Sequence, residues 1–172
     1  EITDAPVEFI LVPAPAEVQT VLEGMTSSDG FHDEGITTDL INGVYTARDA
    51  EGNVLSVFYD VTSDNGSWTG NNVNSIMVQF APGSNSIETI NVYVNSATYF
   101  TSDFAPNYNV GENLDSALIA GAWVGASSAG SVTEADLDSV SGTTAEESLP
   151  SMIESIEEAL AYQIENRIGG AN

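Results

Sequence analysis

Apolar and polar residues alternate through the middle of the chain in a way that predicts an antiparallel β-sheet. Four runs rich in Val, Ile, Tyr and Phe have this character: 44–48, 54–61, 76–81 and 87–95. The first two are separated by five residues that include Gly52, which is typical of a β-hairpin. In the fourth run Ile90, Val92 and Val94 alternate with polar residues and tyrosine, so one face of this strand is expected to be buried and the other solvated.

The N-terminal part of the chain predicts a short strand followed by a short helix. An apolar run at 7–12 precedes Pro15, which opens a helical pattern with Val18, Val21 and Leu22 on one face. Gly24 is expected to end this helix. The next stretch, 26–34, is polar and rich in turn-forming residues, so it is predicted to be a loop.

The C-terminal part predicts one long amphipathic helix. Its apolar residues recur at spacings of three and four: Leu149, Met152, Ile153, Ile156, Leu160 and Ile164. Its acidic residues fall on other faces, which are interpreted as solvated: Glu154, Glu157, Glu158 and Glu165. Glycines at 169 and 170 provide the stop signal.

Together these elements predict an α+β fold, in which a mainly antiparallel, bent sheet built from hairpins is flanked by a short N-terminal and a long C-terminal helix. A length of 172 residues, 42% of them hydrophobic, suits one core. We therefore expect a single domain over 1–172, with 1–30 as a looser N-terminal edge. The stretch 98–113 is expected to be a loop, and 114–126 fits either a helix or a buried strand.

The charge balance excludes two classes of function. The chain has 26 acidic and 2 basic residues and no Lys, so its net charge is −24, and it offers nothing that could displace phosphate counterions or bind an anionic membrane surface. We therefore expect no nucleic-acid partner. Such an acidic surface favours solubility in an exposed setting. We expect an extracellular or cell-surface location, with tethering to the membrane through a removed or missing N-terminal segment.

The residue types available for chemistry are few. There is no Cys, which excludes disulfides, thiolate nucleophiles and Cys-ligated metals. The single histidine, His32, lies in the predicted polar loop without a nucleophile elbow elsewhere, so it is interpreted as a solvated loop residue. Asp60, Asp64 and Asn65 lack the spacing of an EF-hand loop, and we assign no metal site.

The segment 136–148, which reads DLDSVSGTTAEES, is the most informative part of the sequence. Ser141 and Gly142 allow a sharp turn just before the C-terminal helix, where the helix dipole favours oxygen ligands and phosphates. Thr144 fits the first position of a capping box, which is the structural interpretation. Ser148 as the cap instead puts Pro150 in the first helical turn, where proline is tolerated, and this favours Thr144 as a loop residue ahead of the helix.

Residues 138–144, Asp-Ser-Val-Ser-Gly-Thr-Thr, resemble the flavinylation motif Asp-x-x-Ser-Gly-Ala-Thr of the FMN-binding domain family. That family includes subunits of the Rnf complex and of sodium-pumping NADH:quinone reductase, and surface flavoproteins of Gram-positive bacteria. In these proteins a flavin transferase attaches FMN through a phosphoester bond to the last Thr of the motif. By position, that residue is Thr144 here.

The resemblance covers most of the chain. Residues 43–52 resemble the hairpin of such domains, 66–70 with Trp68 resemble their glycine-aromatic loop, and 87–98 resemble the strand that follows. The sequence departs from the family pattern at three places. Thr143 stands where the motif has Ala, two glutamates at 146 and 147 replace Thr-Ser, and Ala97-Thr98 replaces a Glu-Thr pair.

The resemblance implies an extracytoplasmic electron-transfer domain with covalent FMN, an electron carrier rather than a stand-alone catalyst. The implied cofactor-binding residues are Thr144, Asp138, Ser141, Gly142, Thr143, Trp68, Thr98 and Tyr99. The implied partners are a flavin transferase and membrane or extracellular redox proteins. The aromatic residues Trp68, Tyr99, Phe100 and Trp123 can stack on a flavin or build the core. Two alternatives are a cofactor-free extracellular binding or structural module with the same fold, and a calcium-stabilised surface domain.

Overall fold

The computed structural model describes residues 9–64, 73–94, 121–133 and 149–170, and the elements that it defines match the predicted fold class. In chain order they are α1 (Ala16–Met25), β1 (Gly30–Asp33), β2 (Ile41–Arg48), β3 (Val54–Asp64), β4 (Val73–Phe80), β5 (Ile87–Val94) and α2 (Leu149–Asn166). The strands form one five-stranded sheet in the order β1-β2-β3-β4-β5, and every neighbouring pair is antiparallel. The α+β prediction is confirmed.

The predicted hairpin joins β2 and β3. In its turn, Asp49 Oδ1 accepts hydrogen bonds from the backbone N–H of Glu51 at 3.0 Å and of Asn53 at 2.8 Å. Gly52 has a φ of +88°, a conformation that L side chains rarely adopt. The pattern of turn residues between two apolar runs therefore predicted this connection correctly.

The two faces of the sheet carry separate apolar clusters. The face covered by α2, called the α2 face, contains fully buried residues of the central strands, among them Tyr59 and Val78, packed with Ile156 and Leu160 of the helix. The opposite face, called the α1 face, contains Phe58 and Met77 packed with Leu22 of α1 and other side chains. Burial of both faces explains why β3 and β4 carry long apolar runs rather than strict alternation.

One predicted feature of β5 is only partly correct. Ile90 and Val92 are buried on the α2 face, but Val94, at the end of the strand, is 49% exposed. The face expected to be solvated carries Tyr93, which packs against the α1-face cluster. Tyr93 is therefore partly buried rather than solvated. The alternation within a single strand does not reveal the second apolar layer, to which α1 contributes.

The prediction of a loop over 26–34 is wrong in its second half, where β1 forms. Phe31 of β1 is 4% exposed and packs on the α1 face, and the strand pairs with β2 in the register Phe31↔Ala47. This short edge strand contains one large apolar residue among polar ones, so its pairing with β2, not its own pattern, makes it a strand.

The helices agree with the predictions in position and face. α1 continues one residue past Gly24 and ends at Met25. α2 begins at Leu149, which puts Pro150 in its first turn, and it buries Met152, Ile156 and Leu160 completely. The proposed capping residue Ser148 lies outside the described residues.

The described part of the ambiguous stretch 114–126 contains no strand. Residues 121–122 are helical and 123–125 form a turn. Trp123 is 1% exposed in the α2-face core, and its indole N–H donates to the Thr133 carbonyl at 2.8 Å. Of the aromatic residues considered for flavin stacking, Trp123 therefore belongs to the core.

Candidate functional site

Three chain connections meet at one end of the sheet, called here the junction end. β3 ends and β4 begins there, because Asp64 pairs with Val73 and Ser63 with Asn74. β5 ends at the same place, since Val94 is the partner of Ser75. Both ends of the stretch 65–72 therefore join the described chain at the junction end, and the stretch 95–120 joins it there at its N-terminal end.

The start of α2 lies at the same end. Ser155, in the second turn of the helix, donates its hydroxyl hydrogen to the carbonyl oxygen of Thr62 at 2.9 Å, close to the end of β3. The other end of the helix lies across the sheet, where the Ile168 carbonyl accepts the N–H of Gly83 at 3.0 Å. The helix thus spans the sheet with its positive dipole end at the junction end, where it also joins the stretch 134–148.

The predicted cofactor-binding residues lie outside the described residues: Thr144, Asp138, Ser141, Gly142, Thr143, Trp68, Thr98 and Tyr99. The fold defines the points at which the three stretches that contain these residues join the described chain. All three connect at the junction end, although they are far apart in sequence. This convergence is a property of the meander and of the direction of α2.

An acidic groove runs beside the junction end. Its volume is about 560 Å³, and it is lined by Thr37, Thr38, Asp39, Leu40, Glu154 and Glu158. The Leu40 carbonyl accepts the N–H of Thr62 at 3.2 Å, which fixes the groove next to the end of β3. The three carboxylates of the groove create a negative potential near the start of α2.

Glu157 corrects the prediction that the glutamates of α2 mark solvated faces. Its carboxylate accepts the backbone N–H of Gly130 at 3.0 Å and that of Val132 at 2.7 Å. These bonds hold the loop that leads from Trp123 to Thr133 against the middle of the helix. No sequence signal distinguishes Glu157 from its neighbour Glu158, because the bonds depend on a loop more than twenty residues away in sequence.

His32 corrects a second prediction, that of a solvated loop residue. It lies in β1, is half-buried, and its Nδ1 accepts the backbone N–H of Val12 at 2.8 Å. On the same face, Glu34 forms an ion pair with Arg48 at 2.8 Å, and Arg48 also donates to the Gly52 carbonyl at 2.8 Å. These contacts hold the Arg48 side chain at the β1 edge of the sheet.

A buried carboxyl lies on the α1 face in the middle of β3. Asp60 is 5% exposed, and its Oδ1 accepts the hydroxyl hydrogen of Tyr93 at 2.6 Å. Burial raises the pKa of Asp60, and the bond from Tyr93 opposes this only in part. Burial and the nearby negative charges of Asp60, Asp33 and Glu17 raise the pKa of Tyr45 to about 12.

Replacing Asp60 with Asn is expected to stabilise the protein at neutral pH, because burial disfavours the charged carboxylate. Since the folded-state pKa is raised, the native state binds this proton more tightly than the unfolded chain does. The stabilising contribution of the protonated wild-type carboxyl is complete below about pH 4 and is lost as pH rises through the raised pKa. Urea unfolding of both proteins from acid to neutral pH measures the difference.

Asp49 provides the matched control for this measurement. Hydrogen bonds from Asn53 and from the turn backbone lower its pKa, so Asp49→Asn is expected to lose stability at neutral pH and to approach the wild type in acid. The two variants should thus depart from the wild type in opposite directions. An Asp60→Asn protein that is less stable than the wild type at every pH would contradict the assignment of Asp60 as a buried, destabilising charge.

Comparison of the chain with models of protein families, with curated proteins and with solved structures found no match in any of the three. Among the described residues, no three His, Asp or Glu side chains are grouped so that they could hold a metal ion. The helices in the described ranges include none with the length and apolar character needed to cross a membrane.

Proposed function

We propose that the protein is an extracytoplasmic electron-transfer domain that carries FMN, attached through a phosphoester to Thr144. The observation that carries the proposal is the convergence of three connections at the junction end of the sheet. Each leads into a stretch that contains residues of the flavin-binding pattern. A site at the junction end needs no residues from the two faces of the sheet, which α1 and α2 already cover.

Chain length supports the same grouping. Thr144 is five residues before the start of α2, Trp68 is four residues after the end of β3, and Tyr99 is five residues after the end of β5. A fully extended chain covers at most about 3.6 Å per residue, so each of these residues lies within about 18 Å of the described end to which it is joined. One flavin could therefore be reached from all three stretches.

The N-terminus of α2 is the described part of the junction end that suits a phosphoester electrostatically. The N-terminus of α2 provides the positive end of a helix dipole, and phosphates are commonly bound at such ends. The acidic groove with Asp39, Glu154 and Glu158 repels a phosphate from the adjacent surface. When bound, the flavin supplies the electron-transfer chemistry, and the protein supplies its attachment, its orientation and the surrounding field.

The proposal is tested by producing the protein with and without a co-expressed flavin transferase. After acid precipitation and washing, the protein from the transferase-containing host is expected to retain flavin absorbance at about one flavin per chain, and the protein without transferase none. A protein that stays colourless in both hosts, although it is folded by circular dichroism, would contradict the proposal. That result would support the cofactor-free extracellular module instead.

The midpoint potential of the attached flavin is expected to lie below that of free FMN and to rise with ionic strength. Reduction adds negative charge near the groove carboxylates, and a unit charge about 10 Å away contributes about 0.4 kcal/mol in water. Removing two of these charges, with Glu154→Gln and Glu158→Gln, should therefore raise the potential at low salt. Spectroelectrochemical titration at low and high salt measures both effects.

Glu165→Gln is the matched control, because Glu165 is exposed near the opposite end of the same helix. Screening over about 8 Å at physiological salt makes its expected effect smaller than that of the groove substitutions. Equal shifts per charge removed would show that the net charge, and not the groove, sets the potential. A potential at or above that of free FMN would show that local hydrogen-bond donors dominate.

A further inference from the structure

Residues 9–14, called the N-terminal strap, pair with β1 through few contacts. Two backbone bonds hold it, from Ala14 N–H to the Phe31 carbonyl at 3.1 Å and from Asp33 N–H to the Val12 carbonyl at 2.7 Å. Ile10 is 77% exposed and Val12 51% exposed, so burial of these side chains adds little. The remaining polar contact, from Val12 N–H to His32 Nδ1 at 2.8 Å, therefore matters for keeping the strap in place.

This contact depends on the protonation state of His32. Imidazole nitrogen accepts a hydrogen bond only when it carries no proton, so the bond from Val12 requires neutral His32 with its proton on Nε2. The imidazolium carries N–H groups on both ring nitrogens. Protonation thus replaces an attractive contact with two donors that face each other, and the Val12 N–H loses its partner.

Charged groups of both signs lie around His32. Directly after β1 and on the same face, Glu34 is paired with Arg48 of β2 at 2.8 Å. Asp33 points to the opposite face of β1, and Asp29 directly precedes the strand, whereas the strap itself has no titratable side chain. Three carboxylates and one guanidinium therefore lie around His32.

Phe9, the first described residue of the strap, packs beside His32 and Arg48. Its ring lies 5.1 Å from the His32 ring, and the Arg48 guanidinium carbon lies 4.5 Å from its centroid. Phe9 also packs on Gly52, where an added Cβ would meet its Cγ at 2.8 Å. Release of the strap would therefore separate Phe9 from His32, Arg48 and Gly52.

We propose that His32 is an acid-sensitive clasp that holds the N-terminal strap on β1 at neutral pH and releases it when the imidazole is protonated. Release uncovers the edge of β1 and the surface on which Phe9 and Leu11 pack. The sheet itself stays folded, because, of the strap residues, only Ala14 belongs to either core cluster. This conformational change is independent of the proposed flavin.

Amide hydrogen exchange, corrected for intrinsic rates, tests the proposal at about pH 8 and about pH 5, which bracket the range in which histidines titrate. The protection of the Val12, Ala14 and Asp33 amides is expected to fall at least about tenfold at the lower pH, the effect of losing one hydrogen bond and leaving its donor unpaired. Amides of the central strands, such as Tyr59, should keep their protection, which shows that the fold is intact.

Two variants separate the clasp from a general effect of acid. Asn presents an oxygen near the position of Nδ1 but does not titrate, so His32→Asn is expected to keep the strap protected at both pH values. His32→Phe removes the acceptor and should leave the strap poorly protected at both. A wild-type strap whose protection does not change with pH, or a His32→Asn strap that loses protection in acid as the wild type does, would overturn the proposal.

Discussion

Thr144→Val is expected to lose all covalently bound flavin in a host with flavin transferase, whereas Thr143→Val should keep it. Valine has nearly the size of threonine but lacks the hydroxyl oxygen that would form the phosphoester. The adjacent threonine has the same hydroxyl, so the pair of variants differs only in position. Flavin fluorescence of the denatured chains after electrophoresis, quantified against total protein, measures the attachment.

The reverse outcome has a definite interpretation. Loss of flavin in Thr143→Val with retention in Thr144→Val would move the attachment by one residue and show that the departure from the motif at 143 shifts the acceptor. Retention in both single variants would contradict a unique acceptor in this segment. Circular dichroism of each variant before flavinylation controls for loss of the fold.

Gln163→Leu is expected to lower the free energy of unfolding by about 3 to 5 kcal/mol and Tm by about 10 °C. Gln163 is fully buried in α2, and its Oε1 accepts the Tyr59 hydroxyl hydrogen at 2.7 Å. Its Nε2 donates to the carbonyls of Ser84 at 2.8 Å and Ile168 at 3.2 Å. Leucine fits the volume but removes the partner of the buried Tyr59 hydroxyl and of the partly buried Ser84 carbonyl, whereas the Ile168 carbonyl keeps the N–H of Gly83. Urea unfolding and calorimetry measure the loss.

Tyr59→Phe separates the contributions of these bonds. Alone it removes one hydroxyl and leaves both amide bonds of Gln163, so it should cost about 1 kcal/mol. In the Gln163→Leu background its cost should fall, since the hydroxyl it removes is already unpaired there, and a double-mutant cycle measures this coupling. A Gln163→Leu protein within about 1 kcal/mol of the wild type would show that these groups find other partners.

The elements that the sequence predicted correctly are those whose pattern is local. The β2–β3 hairpin has its turn chemistry within five residues, and α2 repeats its apolar positions over eighteen residues. β1 escaped prediction because its strand character comes from pairing with β2. The polar ends of β3 and β4, at Ser63 and Asn74, extend past the apolar runs for the same reason.

Some of the buried polar contacts could have been predicted from a polar residue at an otherwise apolar position. Gln163 falls on the apolar stripe of α2, three residues after Leu160, and a polar residue in that place is a signal that could have identified a buried hydrogen-bond centre. Asp60 likewise interrupts an apolar run in β3. The bonds of Glu157 and His32 have no such signal, because each depends on a backbone N–H that only the tertiary fold brings into reach.

One part of the candidate site could be predicted from the sequence and another part could not. The motif at 138–144 is visible in the sequence alone, and no pattern indicates that the three stretches of interest connect at one end of the sheet. That arrangement follows from the antiparallel order of β3, β4 and β5 and from the bond between Ser155 and Thr62 at 2.9 Å. The acidic groove next to it brings together residues more than one hundred positions apart in sequence.

The attachment of FMN to Thr144 is tested most directly by the mass of one peptide. Cleavage after glutamate, at 134 and 146, releases residues 135–146, which contain Thr143 and Thr144 together with Ser139 and Ser141. For protein made with a flavin transferase, we expect this peptide to gain the mass of one FMN less one water, with fragment ions that assign the gain to Thr144. An unmodified peptide from folded protein, or a gain assigned to another residue, would contradict the account.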